Sequence, residues 1–177
     1  MRNFASTFLE HHIQEVDDNN YSTLIHNLYQ EAVAYTDVTS VFKTLRDAGI
    51  NILSYIDFIP SDYATMDADI TQVSLPKHIT HIGDTAFRDC RNLSHVDLSN
   101  VRVIGTSAFA YCDKLTVVEF PETLEHVAGW AFADSGVQSF VYPLRTRDWN
   151  TNVTVGEDWA NGCPATQITC TDGYVMI

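Results

Sequence analysis

Positive charge is scarce in this chain of 177 residues: 10 Lys and Arg stand against 23 Asp and Glu, a formal net charge of −13. That deficit speaks against nucleic-acid binding through a basic surface and against attraction to an anionic membrane. No run approaches the roughly 18 consecutive apolar residues of a membrane-spanning helix. The opening Met1-Arg2-Asn3-Phe4 lacks the apolar core of a secretory signal, so a cytoplasmic location is expected. The four cysteines include no C-x-x-C pair, which leaves zinc without its usual ligand spacing, and in a reducing compartment they stay thiols. Neither a G-x-S-x-G turn nor a phosphate-cradling glycine loop occurs. His11-His12 and His78-x-x-His81 have no identifiable further ligands and read as surface histidines. No catalytic residue, cofactor or metal is therefore assigned.

What the chain has is one pattern, apolar-x-x-apolar-x-apolar, written five times: Ile70-Val73-Leu75, Leu93-Val96-Leu98, Leu115-Val118-Phe120, Val137-Phe140-Tyr142 and Ala165-Ile168-Cys170. The starts step by 23, 22, 22 and 28 residues. A second phrase keeps phase with it: Ile82-Gly83-x-x-Ala86-Phe87-x-x-Cys90, Ile104-Gly105-x-x-Ala108-Phe109-x-x-Cys112, and a degraded Val127-Ala128-x-x-Ala131-Phe132-x-x-Ser135. A period in the twenties marks a solenoid whose single coils are too small to bury their own apolar side, so neighbours must stack.

The internal logic of a coil follows from residue chemistry. Strand residues alternate faces, so Val96 and Leu98 point inward and His95 and Asp97 outward. Proline at positions 76, 121 and 143 stops the ladder because it has no N–H to donate. Gly83 and Gly105 are expected to supply a backbone conformation that side chains resist. The Ala-Phe pair gives one small and one large filler per coil, and coils about 4.8 Å apart build a continuous spine. Cys90, Cys112 and Cys163, each seven residues after a glycine, share one phase and read as small buried hydrophobes rather than as a redox pair.

Residues from about 70 to 173 resemble the BspA-type leucine-rich repeat, L-x-x-I-x-I-P-x-x-V-x-x-I-G-x-x-A-F-x-x-C, with Ser99 standing where the second copy should have proline. The resemblance implies a binding scaffold. The whole-length arrangement, closing on Cys170-Thr171-Asp172-Gly173, is more loosely similar to small proteins of tailed bacteriophages. It implies a protein partner inside an infected cell, in the host cytoplasm, with a component of a bacterial defence system as one candidate.

Residues 1–69 carry 11 acidic and 3 basic side chains and a different period. Tyr21, Leu24, Ile25, Leu28, Tyr29, Ala32 and Val33 step by three and four, as in an amphipathic helix. A second helix is expected from Asp37 to a stop at Gly49, and a shorter one around Phe4, Phe8, Leu9 and Ile13. The fold class is then α+β: an acidic helical cap over residues 1–59, a connection at 60–69, and a leucine-rich-repeat β-solenoid of about five coils over 70–177.

Function is sought on exposed positions. Outward strand residues include His95, Asp97, Val117, Glu119, Ser139 and Val141, a mixed ladder with an apolar patch that any solvated sheet also resembles. The six extra residues of the fourth step place Arg145, Arg147 and Trp149 in one loop, and Trp130 takes a phase that is polar in Thr85 and Ser107. Arginine and tryptophan are enriched at interface hot spots. The competing account folds Trp149 back over the widened coil, with Trp159 replacing the missing alanine inside it.

A non-enzymatic protein-interaction module is the leading reading, with a partner of basic surface suited to the acidic chain. Two rivals stand beside it. One is a virion structural or decoration protein that assembles with copies of itself through the apolar edge at residues 174–177. The other is an enzyme with a site between cap and first coils, where Tyr55, Asp57, Asp62, His78 and His81 converge.

Overall fold

The structure, a computed structural model, describes residues 58–59 and 70–177. The chain divides into two compact units, Met1–Ile56 and Asp57–Ile177. The helices expected within residues 1–49 and the connection at 60–69 lie outside the described residues. In chain order the described elements are β1 (Phe58–Ile59), β2 (Gln72–Ser74), β3 (His81–Ile82), β4 (His95–Asp97), β5 (Val103–Ile104), β6 (Val117–Glu119), β7 (His126–Val127), β8 (Ser139–Val141), α1 (Thr146–Asn152), β9 (Thr154–Val155), β10 (Gln167–Cys170) and β11 (Gly173–Met176).

These elements form a β-solenoid with a single short helix among the described residues. One face is a five-stranded ladder of two-residue strands, β1-β3-β5-β7-β9, parallel throughout. Its register aligns Ile82 with Ile104, Ile104 with Val127 and Val127 with Val155, so the repeat in sequence becomes a column in space. The ladder takes in Phe58–Ile59, paired with His81–Ile82, upstream of the first sequence repeat at Ile70. On the other face β6, β8 and β10 run parallel and β11 turns back antiparallel as the edge strand, while β2 and β4 pair separately.

The core is the column structure expected of stacked coils. Phe87, Phe109 and Phe132 stack face to face, with centroids 5.3 and 5.2 Å apart and ring planes within 9°. Phe120 and Phe140 form a second stack at 5.5 Å. Close offset stacks of this kind are favourable beyond the area they bury. Ala86, Ala108 and Ala131 are fully buried beside them, as are Cys90 and Cys112, and all four cysteines of the chain are thiols. Hydrogen bonds run from coil to coil through the turns as well: the N–H of Phe87, Phe109 and Phe132 donates to the carbonyl of Ala108, Ala131 and Trp159 at 2.7–2.8 Å.

The role of the glycines differs from expectation. Left-handed φ falls instead on Thr85, Ser107, Trp130 and Asp158, and again on Asp89, Tyr111 and Asp134, all between 52° and 61°. Gly105 is required by crowding: a Cβ there would lie 2.6 Å from the carbonyl carbon of Gly83 in the preceding coil. Gly156 is tighter still, its Cβ position lying 2.3 Å from the backbone nitrogen of Gly129. The fixed glycine phase records how closely adjacent backbones approach, and the strained turns lie a few residues further on.

Candidate partner-binding surface

The outward residues of β4, β6 and β8 reach the surface because their neighbours Val96, Val118 and Phe140 are buried. His95, Val117 and Glu119 are exposed, and Asp97, Ser139 and Val141 half-buried. The register sets Val117 beside Ser139 and Glu119 beside Val141.

Between β4 and β6 this face is interrupted. The two strands belong to separate sheets, although their coils remain joined on the opposite side, where β5 pairs with β7. The coils are closed along one side and splayed along the other. A groove of about 590 Å³ lies in the opening, bordered by His95, Asp97, Ser99, Val117, Glu119 and Phe120. It presents carboxylates on both strands, the exposed Val117 on β6, and two strand edges without ladder partners among the described residues.

Ser99, the departure from the proline pattern, takes a defined part here. Its backbone N–H donates to the Asp97 carboxylate at 3.0 Å, and its hydroxyl donates to the same oxygen. Those bonds, the hydroxyl foremost, hold the Asp97 pKa below its usual value. Proline in this place would supply neither donor.

The widened fourth coil corrects one expectation. Residues Thr146–Asn152 form α1, not a loop, with the Asp148 carboxylate accepting the Arg145 N–H at 3.2 Å and the Asp172 carboxylate accepting the Thr146 N–H at 2.8 Å. The helix turns Trp149 inward to 4% exposure, against Tyr142 at 5.2 Å, Phe120 at 5.4 Å and Trp159 at 6.4 Å. Trp149 therefore cannot act as a partner-facing residue. Trp159 stands in the alanine phase, 4.9 Å from Phe140, and fills the space that the longer coil opens. Arg145 and Arg147 stay exposed on the outer side, Arg147 loosely paired with Asp148 at 3.9 Å.

Trp130 is 46% exposed at φ 54°, and it lies in neither the strand-face groove nor α1. It stands on the turn ridge with Tyr111, a residue the repeat pattern did not single out. A usable signal was there: Tyr111 takes the phase of Asp89 and Asp134, where an aromatic is out of type.

Some of the remaining charges tie coils together. Arg102 pairs with Glu125 and Arg91 with Asp113, each one coil on, and Lys114 donates to Asn92 at 2.8 Å. His78 and His81 are exposed, and the described residues contain no group of three metal-ligating side chains. Tyr55, Asp57 and Asp62 lie outside the described residues. No helix among the described residues is long and apolar enough to cross a membrane.

No curated protein and no solved structure gives a match to this chain. The family model for the BspA type leucine rich repeat region matches six copies across residues 38–157, beginning upstream of Ile70 as the Phe58–Ile59 rung does. With the register, the phenylalanine columns and more than half the chain matched, the protein belongs to the BspA-type leucine-rich repeat family, whose members point to protein–protein interaction.

Proposed function

We propose that this chain is a non-enzymatic interaction module that takes a partner protein with a basic surface on its strand face, in the groove between β4 and β6. The observation that carries the reading is the splayed pair of strands, with Asp97 on one and Glu119 on the other, in a chain of net charge −13. Carboxylates on two facing strands steer a basic partner during encounter, and the exposed Val117 gives it apolar contact. The looser likeness to bacteriophage proteins extends the reading to a bacterial host protein as partner. The test is capture from a bacterial lysate by wild type and by the double variant Asp97→Asn/Glu119→Gln, with melting temperatures in parallel. One stoichiometric, basic partner retained by wild type and lost by the double variant at equal stability supports the reading. Equal capture by both sinks it.

Self-assembly is the second reading, and it rests on β11. This edge strand exposes Tyr174 and Met176 at 62 and 64% and carries neither charge nor proline, the devices that usually protect an edge. Light scattering across a concentration series tests it: a defined oligomer that Met176→Lys returns to monomer supports assembly, and a monomer at all concentrations removes it.

A further inference from the structure

The turn ridge carries a second candidate surface. Seven non-glycine residues there adopt left-handed φ, in two columns: Thr85, Ser107, Trp130 and Asp158, then Asp89, Tyr111 and Asp134. Aspartate tolerates this region comparatively well, whereas a bulky aromatic in it is an outlier that costs stability. The coil itself does not demand aromatics, because serine, threonine and aspartate make the same turn in neighbouring coils. Yet the two exceptions, Trp130 and Tyr111, stand on either side of one groove of about 280 Å³, floored by Ala110, Ala133 and Ser107. Asp134 lines it and is exposed, with its carboxylate Oδ1 close against Gly162 of the following coil.

The groove already shows which chemistry it accommodates. The Arg88 guanidinium lies over the Tyr111 ring, 5.0 Å from its centroid, and is paired with Asp89 at 3.5 Å. Trp130 and Asp134 line the same groove, and among the described residues no guanidinium lies over the Trp130 ring. We propose that this groove receives an arginine side chain of a partner protein, stacked on Trp130 with Asp134 accepting from its N–H groups. A planar guanidinium satisfies both walls at once, which a lysine ammonium does less well, and an anionic ligand is repelled by Asp134. The inference rests on the reading of the chain as an interaction module but concerns a different face.

The probe is a fluorescein-labelled Gly-Arg repeat peptide, titrated by anisotropy into the full chain, with the matching Gly-Lys peptide as control. Trp130→Ser is the main variant, since Ser107 makes the same turn one coil earlier. The expected result is binding that weakens at least tenfold with Trp130→Ser and with Asp134→Asn, is unchanged by Asp97→Asn/Glu119→Gln, and favours the arginine peptide. The melting temperature of Trp130→Ser should hold or rise, because the strained aromatic is relieved. Binding unaffected by Trp130→Ser, no preference over lysine, or a large loss of melting temperature in that variant each overturns the proposal. Loss confined to the Asp97→Asn/Glu119→Gln protein also overturns it, while leaving the strand-face reading in place.

Discussion

Phe109 shows what a single residue does in a stacked fold. It is fully buried, with one phenylalanine 5.3 Å away in the coil before and another 5.2 Å away in the coil after. Truncation to alanine removes a rung that both neighbours need and leaves a cavity that the glycine-spaced backbone cannot close. Phe109→Ala is expected to cost about 3–5 kcal/mol, read as a lowered midpoint in urea unfolding. Asp97 illustrates the surface case. Its folded pKa is below the unfolded one, so its contribution to stability is present above the unfolded value and is lost as pH falls through the folded one. In Ser99→Ala the foremost donor is gone, and the Asp97 pKa should rise toward the ordinary carboxylate value, followed by NMR titration of the side-chain carboxyl. A pKa identical to wild type would mean that the hydroxyl bond is not formed in solution.

At the scale of the element, α1 is the informative case. An insertion in a repeat protein usually appears as a loop on one face, but here the added residues wind into two turns because Asp148 and Asp172 satisfy the first N–H groups and Trp149 has a cavity to fill. The two sides of the helix should then respond differently. Trp149→Ala is expected to cost about 3–5 kcal/mol, since it opens the space between Phe120, Tyr142 and Trp159, whereas Arg147→Ala should stay within about 0.5 kcal/mol. Thermal unfolding of the two variants side by side checks the contrast. Equal losses would place the stabilising contacts on the outer face instead.

For the whole molecule, the charge pattern sets how it meets partners. Two of the seven cations of residues 70–177 form coil-to-coil ion pairs, Arg102 with Glu125 and Arg91 with Asp113, and these exposed pairs add little stability individually. The unpaired excess is acidic. Association with a basic partner should therefore slow as salt is added, because screening at physiological ionic strength acts over about 8 Å. The expected outcome is an association rate that falls at least tenfold between 50 and 500 mM salt while the dissociation rate changes little, measured by surface plasmon resonance. A salt-insensitive association rate would show that apolar contact, not charge, governs the encounter.

The rungs, the phenylalanine columns and the burial of Cys90 and Cys112, though not of the half-buried Cys163, were legible in the residues alone, since each coil repeats the same phase and correct stacking puts like on like: Val73 beside Val96, Ile82 beside Ile104. The acidic excess was equally readable, being a sum over composition. Which tryptophans are exposed was not. Trp130 and Trp149 are the same residue type in the same acidic chain, and only the direction of α1 buries one while the turn column leaves the other exposed. The split between β4 and β6 was likewise invisible, because no single residue makes it; it arises where two coils stay joined along one ladder and part along the other. Sequence periodicity determined which residues stack, since that information is local and repeated, whereas the openings that give the surface its candidate sites depend on how coils tilt against one another, which is fixed only when all the contacts form together.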